Sequence, residues 1–471
     1  MEIILKIFNL LFTNIIAKPQ FFIGLIVFIG YLAIGRKIYD ALGGFIKAAI
    51  GFMILNVGSS GLVKNFDPIL KGLAQKYQIS AVVIDSNFGF NAATQALESI
   101  SITTSWTMMS LLVGFVWNIL LVLLKKFTKV RTVFITGHIM VKQATMVTWI
   151  IFAVMPGFRN IYGAILVGLL VGTYWAVFAN LTVEATRNLT GNSDFAVGHQ
   201  QMFGIWVTDK IAHKIGNKEK TVENVKLPGW LAVLNDNIIA TGLLMIIFFG
   251  AVMLFIGEPL LKELDPKAFD GGITFFTYIL EKSLVFSVNI VILMTGVRMF
   301  VAELVESFVG ISEKLLKGSI PAVDCAVTFG FSSPNAILYG FIFGAVGQLI
   351  AILGLIIFKS PIMLIPGFVP LFFDNATLAV YADKKGGIRA ATIIPVVSGM
   401  IQVFGSLAAV YIFNLTQYGG WTGNLDWDTV WPVLGLFINN LQLTGVILVV
   451  ILMLIIPQLQ YIRNKDSYFI K

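Results

Sequence analysis

The chain has 471 residues, 57% hydrophobic and only 12% charged, with a mean hydropathy of +0.87. Soluble domains carry about 25% charged residues, so this chain cannot cover an ordinary water-facing surface and is predicted to be a polytopic membrane protein. The net charge of +8 sits in short loops, at 121–131, 213–220, 382–387 and 461–465. The positive-inside rule reads these loops as cytoplasmic, and nucleic acid is excluded as a partner.

Apolar runs near the spanning length of about 20 residues recur along the whole chain. They lie at 20–35, 105–124, 133–155, 161–180, 239–256, 275–295, 337–358, 391–413 and 433–456. Segment 41–57 is glycine-rich with one lysine, and 361–381, with three prolines and an aspartate, reads as a broken or re-entrant helix. The prediction is an all-α membrane protein of ten or eleven spans, with one integral membrane domain over 1–471. The start, Met1-Glu2, lacks a basic n-region, so no cleaved signal peptide is expected. The largest polar stretch, 207–228, is a lysine-rich loop suited to docking an acidic partner.

Residues 85–97 (DSNFGFNAATQAL) resemble 324–338 (DCAVTFGFSSPNAIL), each following an LKG, at 70–72 and 316–318. Half-chain repeats with polar, interrupted segments at matching places point to a transporter whose site lies where the repeats meet. The halves are taken as roughly 20–235 and 236–430, with a final helix at 433–456.

Ionisable residues at bilayer depth cost roughly 2.5–3.5 kcal/mol on insertion scales and mark function by default. Asp85 and Asp324 stand in glycine-bearing segments, where each also suits a helix N-cap. His138 and Lys142, four apart, share a helix face, with Gln143 beside them. Lys142 stands mid-run, which argues against snorkelling to an interface. His199, Gln200 and Gln201 offer several donors and acceptors for a polyhydroxylated ligand, or else form a helix cap. Residues 296–312, with Arg298, Glu303 and Glu306, read as an amphipathic interfacial helix. Cys325 is the only cysteine, which excludes internal disulfides, and its neighbour Asp324 makes it a poor nucleophile. No Walker A loop, HExxH or potassium-filter motif occurs, so no cofactor or resident metal is expected. From the residues alone, an ion-coupled transporter for organic anions and a ligand-binding membrane sensor remain open.

At IGFMILNVGSSG (50–61), TGHIM (136–140), GHQQMF (198–203), KLPGWL (226–231), GVRMFVAEL (296–304), AVDCA (322–326) and IPGFVPLFFDNAT (365–377), the chain resembles the ascorbate-type IIC permeases of the bacterial sugar phosphotransferase system. The resemblance implies eleven transmembrane helices in two inverted repeats. It also implies a dimerising scaffold with an elevator-like core, in the bacterial inner membrane. The implied partners are L-ascorbate or a related sugar, and cytoplasmic IIA and IIB proteins, the latter carrying the phosphocysteine, so this chain is a permease component rather than an enzyme. The family's ligand contacts map onto Asp85, Ser86, Asn87, His138, the loop through Ile139, Met140 and Val141, Lys142, Gln143, His199, Gln200 and Asp324. Asn87 replaces an aromatic and Lys142 a glutamine. Ascorbate is a monoanion at neutral pH, so Lys142 supplies a fitting countercharge.

Overall fold

A computed structural model describes residues 18–77, 80–192, 195–225, 233, 236–316, 318–465 and 468–469. The KLPGWL match at 226–231, the chain start and Lys317 of the second LKG lie outside the described residues.

Helices dominate. In chain order they are α1 (Pro19–Ala33), α2 (Ile38–Tyr77), α3 (Ser86–Ser99), α4 (Thr104–Leu123), α5 (Lys125–Thr128), α6 (Gly137–Val154), α7 (Ile161–Thr190) and α8 (Met202–Ile215). The second half supplies α9 (Asn237–Ile256), α10 (Glu258–Leu264), α11 (Phe275–Leu315), α12 (Pro334–Ile357), α13 (Asn375–Ile412) and α14 (Leu425–Arg463). Among the described residues, seven helices are long and apolar enough to cross a bilayer, or eight counting a pair bent by 94° between Ile256 and Glu258. The expected ten or eleven spans included α1, which has 15 residues. α13 breaks at Gly387 and α14 at Gln442, where φ turns positive.

Six short strands among the described residues were not expected. Five-residue β1 (Ser80–Ile84) pairs in parallel with β5 (Ile362–Pro366) and β6 (Gly420–Trp421). β4 (Ile320–Val323) pairs in parallel with β2 (Thr132–Phe134) and β3 (Ala196–Val197). In each sheet the central strand comes from one half of the chain and both neighbours from the other. Backbone leaving a helix at bilayer depth must find partners within the protein, and these ladders supply them.

The strands redraw several predicted elements. The run 133–155 is not one helix, because three residues pair as β2 before α6 begins at Gly137. Lys142 therefore stands in the second turn of α6, near its N-terminus, rather than mid-span. Ile139, Met140 and Val141 form the first turns of that helix instead of a loop, with Ile139 and Met140 N–H donating to the Thr136 carbonyl. Segment 361–381 is a strand leading into helix. Much of the polar stretch at 207–228 is the end of α8, with Lys210 and Lys214 exposed on it.

The helices sort into two packed groups. α2 lies along α11, with α1, α9 and α10 beside them. The other group holds both sheets, α3, α4, α6 to α8 and α12 to α14. α2 and α11 approach so closely at Gly51 and Gly296 that a Cβ on either would lie 2.6 or 2.3 Å from a backbone nitrogen of the other helix. Residues 296–312 are thus not a separate helix. They continue α11, where Glu303 is buried, accepts a hydrogen bond from Tyr31 and pairs with Lys47. Arg36 pairs with Glu306 beside it.

Candidate functional site

Both sheets end in polar turns. Asp85 follows β1 and caps α3 by accepting the Asn87 N–H at 2.9 Å. Its second oxygen accepts the Val369 N–H at 3.0 Å. That reach needs glycine at 367, because a Cβ there would stand 2.2 Å from the Asp85 Cβ. Asp324 follows β4 and accepts the Ala326 N–H at 2.9 Å in the same i, i+2 manner. Asp85 is fully buried and both its oxygens are occupied, whereas the Asp324 side chain is 34% exposed.

The free side of Asp324 faces the ends of β2 and β3. Its Oδ2 lies 3.4 Å from His138 Nε2, and the His138 and His199 ring centroids are 6.2 Å apart. One ring nitrogen of each histidine and an Asp324 oxygen fall within 4.8 Å of one another. This set offers acceptors to ligand hydroxyls, or ligand atoms to a cation. One helical turn along α6, the Lys142 ammonium donates to Ser86 Oγ at 3.0 Å and to Asn87 Oδ1 at 2.7 Å. Lys142 is only 6% exposed, so these bonds and the nearby carboxylates Asp85 and Asp324 offset its desolvation. Arg298, on α11 in the other helix group, lies within electrostatic range of His138.

Three polar atoms on residues of the cluster or next to it in sequence are buried without a partner among the described residues: Asn87 Nδ2, Thr136 Oγ1 and Gln200 Oε1. Leaving such a group unmade costs about 1–3 kcal/mol each, which points to a ligand that satisfies them. Thr136, at the N-cap of α6, makes no side-chain cap, so the positive end of that helix dipole also faces the cluster.

The remaining expected residues sit around the cluster. Gln143 is fully buried; it accepts from Trp175 Nε1 at 2.6 Å and donates to the His199 carbonyl at 3.4 Å, bracing the histidine loop. The Ile139, Met140 and Val141 side chains are in the core. Gln200 donates to Asn424 Oδ1 at 2.9 Å, and Asn424 donates to Asp374 Oδ1 at 2.8 Å. Asp374 also accepts the Leu425 N–H at 2.7 Å, and Asp426 accepts the N–H groups of Phe203 and Gly204 at the start of α8. Asp374, Asn424 and Asp426 are buried site supports missed in the sequence. The polar run TGNLDWD (422–428) in an apolar chain was the available signal. The Cys325 thiol is buried.

Comparison with known proteins identifies the family. The family described as PTS system sugar-specific permease component matches residues 14–429. The ascorbate-specific PTS system EIIC component of Mycoplasma pneumoniae is 33% identical over 432 residues, covering 83% of this chain and 64% of that protein. The chain thus matches somewhat less than two thirds of that relative's length. A family match across most of the chain, on a fold of apolar helices converging on a buried polar cluster, settles its class: the chain belongs to the sugar-specific permease components of the phosphotransferase system, multi-pass proteins of the bacterial inner membrane.

Proposed function

We propose that the chain imports L-ascorbate, coupled to its phosphorylation by a separate IIB protein supplied by IIA. The observation that carries this reading is the cluster of Lys142, His138, His199 and Asp324, together with three buried polar atoms unpartnered among the described residues. A cation beside a set of acceptors suits a small, hydroxyl-rich monoanion. A related sugar acid or polyol is the nearest variant of the same reading. The buried Cys325 thiol fits a phosphocysteine carried by the partner.

Two inverted repeats and eleven spans accompany this proposal. The reciprocal sheets support the repeats, since Asp85 and Asp324 end the central strands and cap the next helix alike. The two helix groups support a scaffold and a core moving as an elevator, and a homodimer follows from the family resemblance. The exposed lysines of 210–220 would receive the acidic partner.

Binding of labelled L-ascorbate to the purified protein tests the reading. Asp324→Ala and His199→Ala should abolish binding while gel filtration and circular dichroism remain unchanged. Uptake at the wild-type rate by both folded variants would refute the site. If ascorbate fails to bind while a pentitol or sugar acid does, the substrate assignment falls.

The His138, His199 and Asp324 grouping also favours a second reading, cation-coupled transport of an organic anion. A requirement for a proton or sodium gradient in proteoliposomes would select it. Against it, both Asp85 oxygens already accept backbone N–H groups.

A further inference from the structure

His199 enters the cluster through one ring nitrogen only, because Nδ1 lies 2.6 Å from Gln201 Oε1. Which atom carries the proton depends on how the Gln201 amide is turned, and amide orientations are assigned from their partners. Here two partners have fixed roles. The same Oε1 takes the Gln200 backbone N–H at 3.0 Å, and an N–H can only donate. At the other end, Nε2 lies 3.5 Å from the Phe373 carbonyl, which can only accept, and 3.3 Å from Thr377 Oγ1. Turning the amide over would set NH2 against N–H and oxygen against oxygen, exchanging both bonds for repulsions. Gln201 is fully buried, so water cannot relieve them. Oε1 therefore faces Nδ1 as an acceptor, and Nδ1 bears the hydrogen.

We propose that Gln201 is a positioning residue of this site: by accepting the Nδ1–H of His199, it fixes the tautomer that leaves Nε2 bare as an acceptor beside Asp324. The proposal rests on the reading of this pocket as the sugar site. It adds a demand on the ligand, which must bring hydroxyl donors to the His199 and Asp324 side, with its negative charge at the Lys142 side. Because Gln201 donates to Phe373 and Thr377 at the start of α13, the tautomer also depends on the first half of the chain seating against the second.

The test is nitrogen-15 NMR of the full-length, histidine-labelled protein without ligand, paired with titration of L-ascorbate. The chain has three histidines, and His138→Gln and His213→Asn assign the signals by elimination. The wild type should show a protonated Nδ1 and a bare Nε2 at His199. Gln201→Met, which keeps the volume but removes the acceptor, should lose that pattern and weaken ascorbate binding on the order of tenfold, the worth of one hydrogen bond. Gln201→Glu keeps an acceptor against Nδ1 and should restore the Nδ1–H signal, a result that packing alone would not give. A protonated Nε2 in the wild type, or an unchanged tautomer in Gln201→Met, overturns the proposal. If Gln201→Met does not fold, the wild-type spectrum and Gln201→Glu still decide it. Failure of ascorbate to bind the wild type would refute the substrate instead, because the tautomer is read without ligand.

Discussion

Lys142 combines two roles that a substitution can separate. Two of its three N–H donors hold Ser86 and Asn87, tying α6 to the tip of α3. Its charge lies near both Asp85 and Asp324, and Asp324 also meets His138. Lys142→Gln retains the capacity to donate but removes the charge. Affinity for ascorbate should fall roughly 10- to 100-fold, the scale of one partly buried charge contact, while affinity for a neutral pentitol should stay nearly constant. Calorimetric titration of both ligands checks this. Equal loss for the two would make Lys142 a structural tie alone. At this scale the sequence was informative, since a lysine and histidine at i, i+4 in an apolar run have few uses other than a shared polar face. The division of labour was hidden. Asp85 and Asp324 look alike in sequence, but only Asp324 keeps a free oxygen, because Val369, more than 280 residues away, takes the second oxygen of Asp85.

Among elements, the apolar runs gave away the helices, and the strands stayed hidden for a physical reason. β3 and β6 have two residues each and β1 five, too few for an alternation of side chains to register, and all their residues but the exposed Ser80 are buried. Their partners are remote, as where Ser80 pairs with Ile362. The second part of α11 reads in sequence as a helix of its own, and the contacts of Glu303 and Glu306 with Tyr31, Arg36 and Lys47 come from remote segments. The same remoteness governs the cap of α8. Its own N-cap, Gln201, makes no side-chain cap, and Asp426 at the start of α14 supplies it instead. Asp426→Ala removes an acceptor for the Phe203, Gly204 and Tyr174 donors. It should lower stability by about 2–3 kcal/mol, as expected for buried, charge-assisted bonds. Thermal unfolding in detergent measures this, and bound ascorbate should recover part of the loss because the ligand also engages the His199 loop. An element of comparable weight is the contact of α2 with α11. Gly51→Leu should force the two helices apart and reduce the yield of folded protein, measured as the monodisperse fraction on gel filtration, since the approach there leaves no room for a Cβ.

For the whole molecule, the proposed elevator poses a test: whether one helix group slides past the other. The sheets are shared between halves of the chain yet lie wholly within one helix group, so movement between the groups leaves every ladder intact. The groups meet at an aromatic contact on the tip that carries the site. Phe88 of α3 packs edge-on against Phe66 of α2 at 4.9 Å and stacks on Phe286 of α11 at 6.0 Å. Phe249 of α9 closes the cluster, 4.2 Å from Phe66. Side chains in contact without backbone hydrogen bonds between them can part and re-form, which is what sliding helix groups require. Phe66→Cys with Phe88→Cys, joined by a short reducible cross-linker in a Cys325→Ala background, would hold the groups in the present register. If the core moves as an elevator, the cross-linked protein in proteoliposomes should still bind ascorbate, yet uptake should stop and return on reduction. Uptake that continues at the unlinked rate in fully cross-linked protein would mean that the groups move together, and access would then have to alternate by rearrangement within the group that holds both sheets.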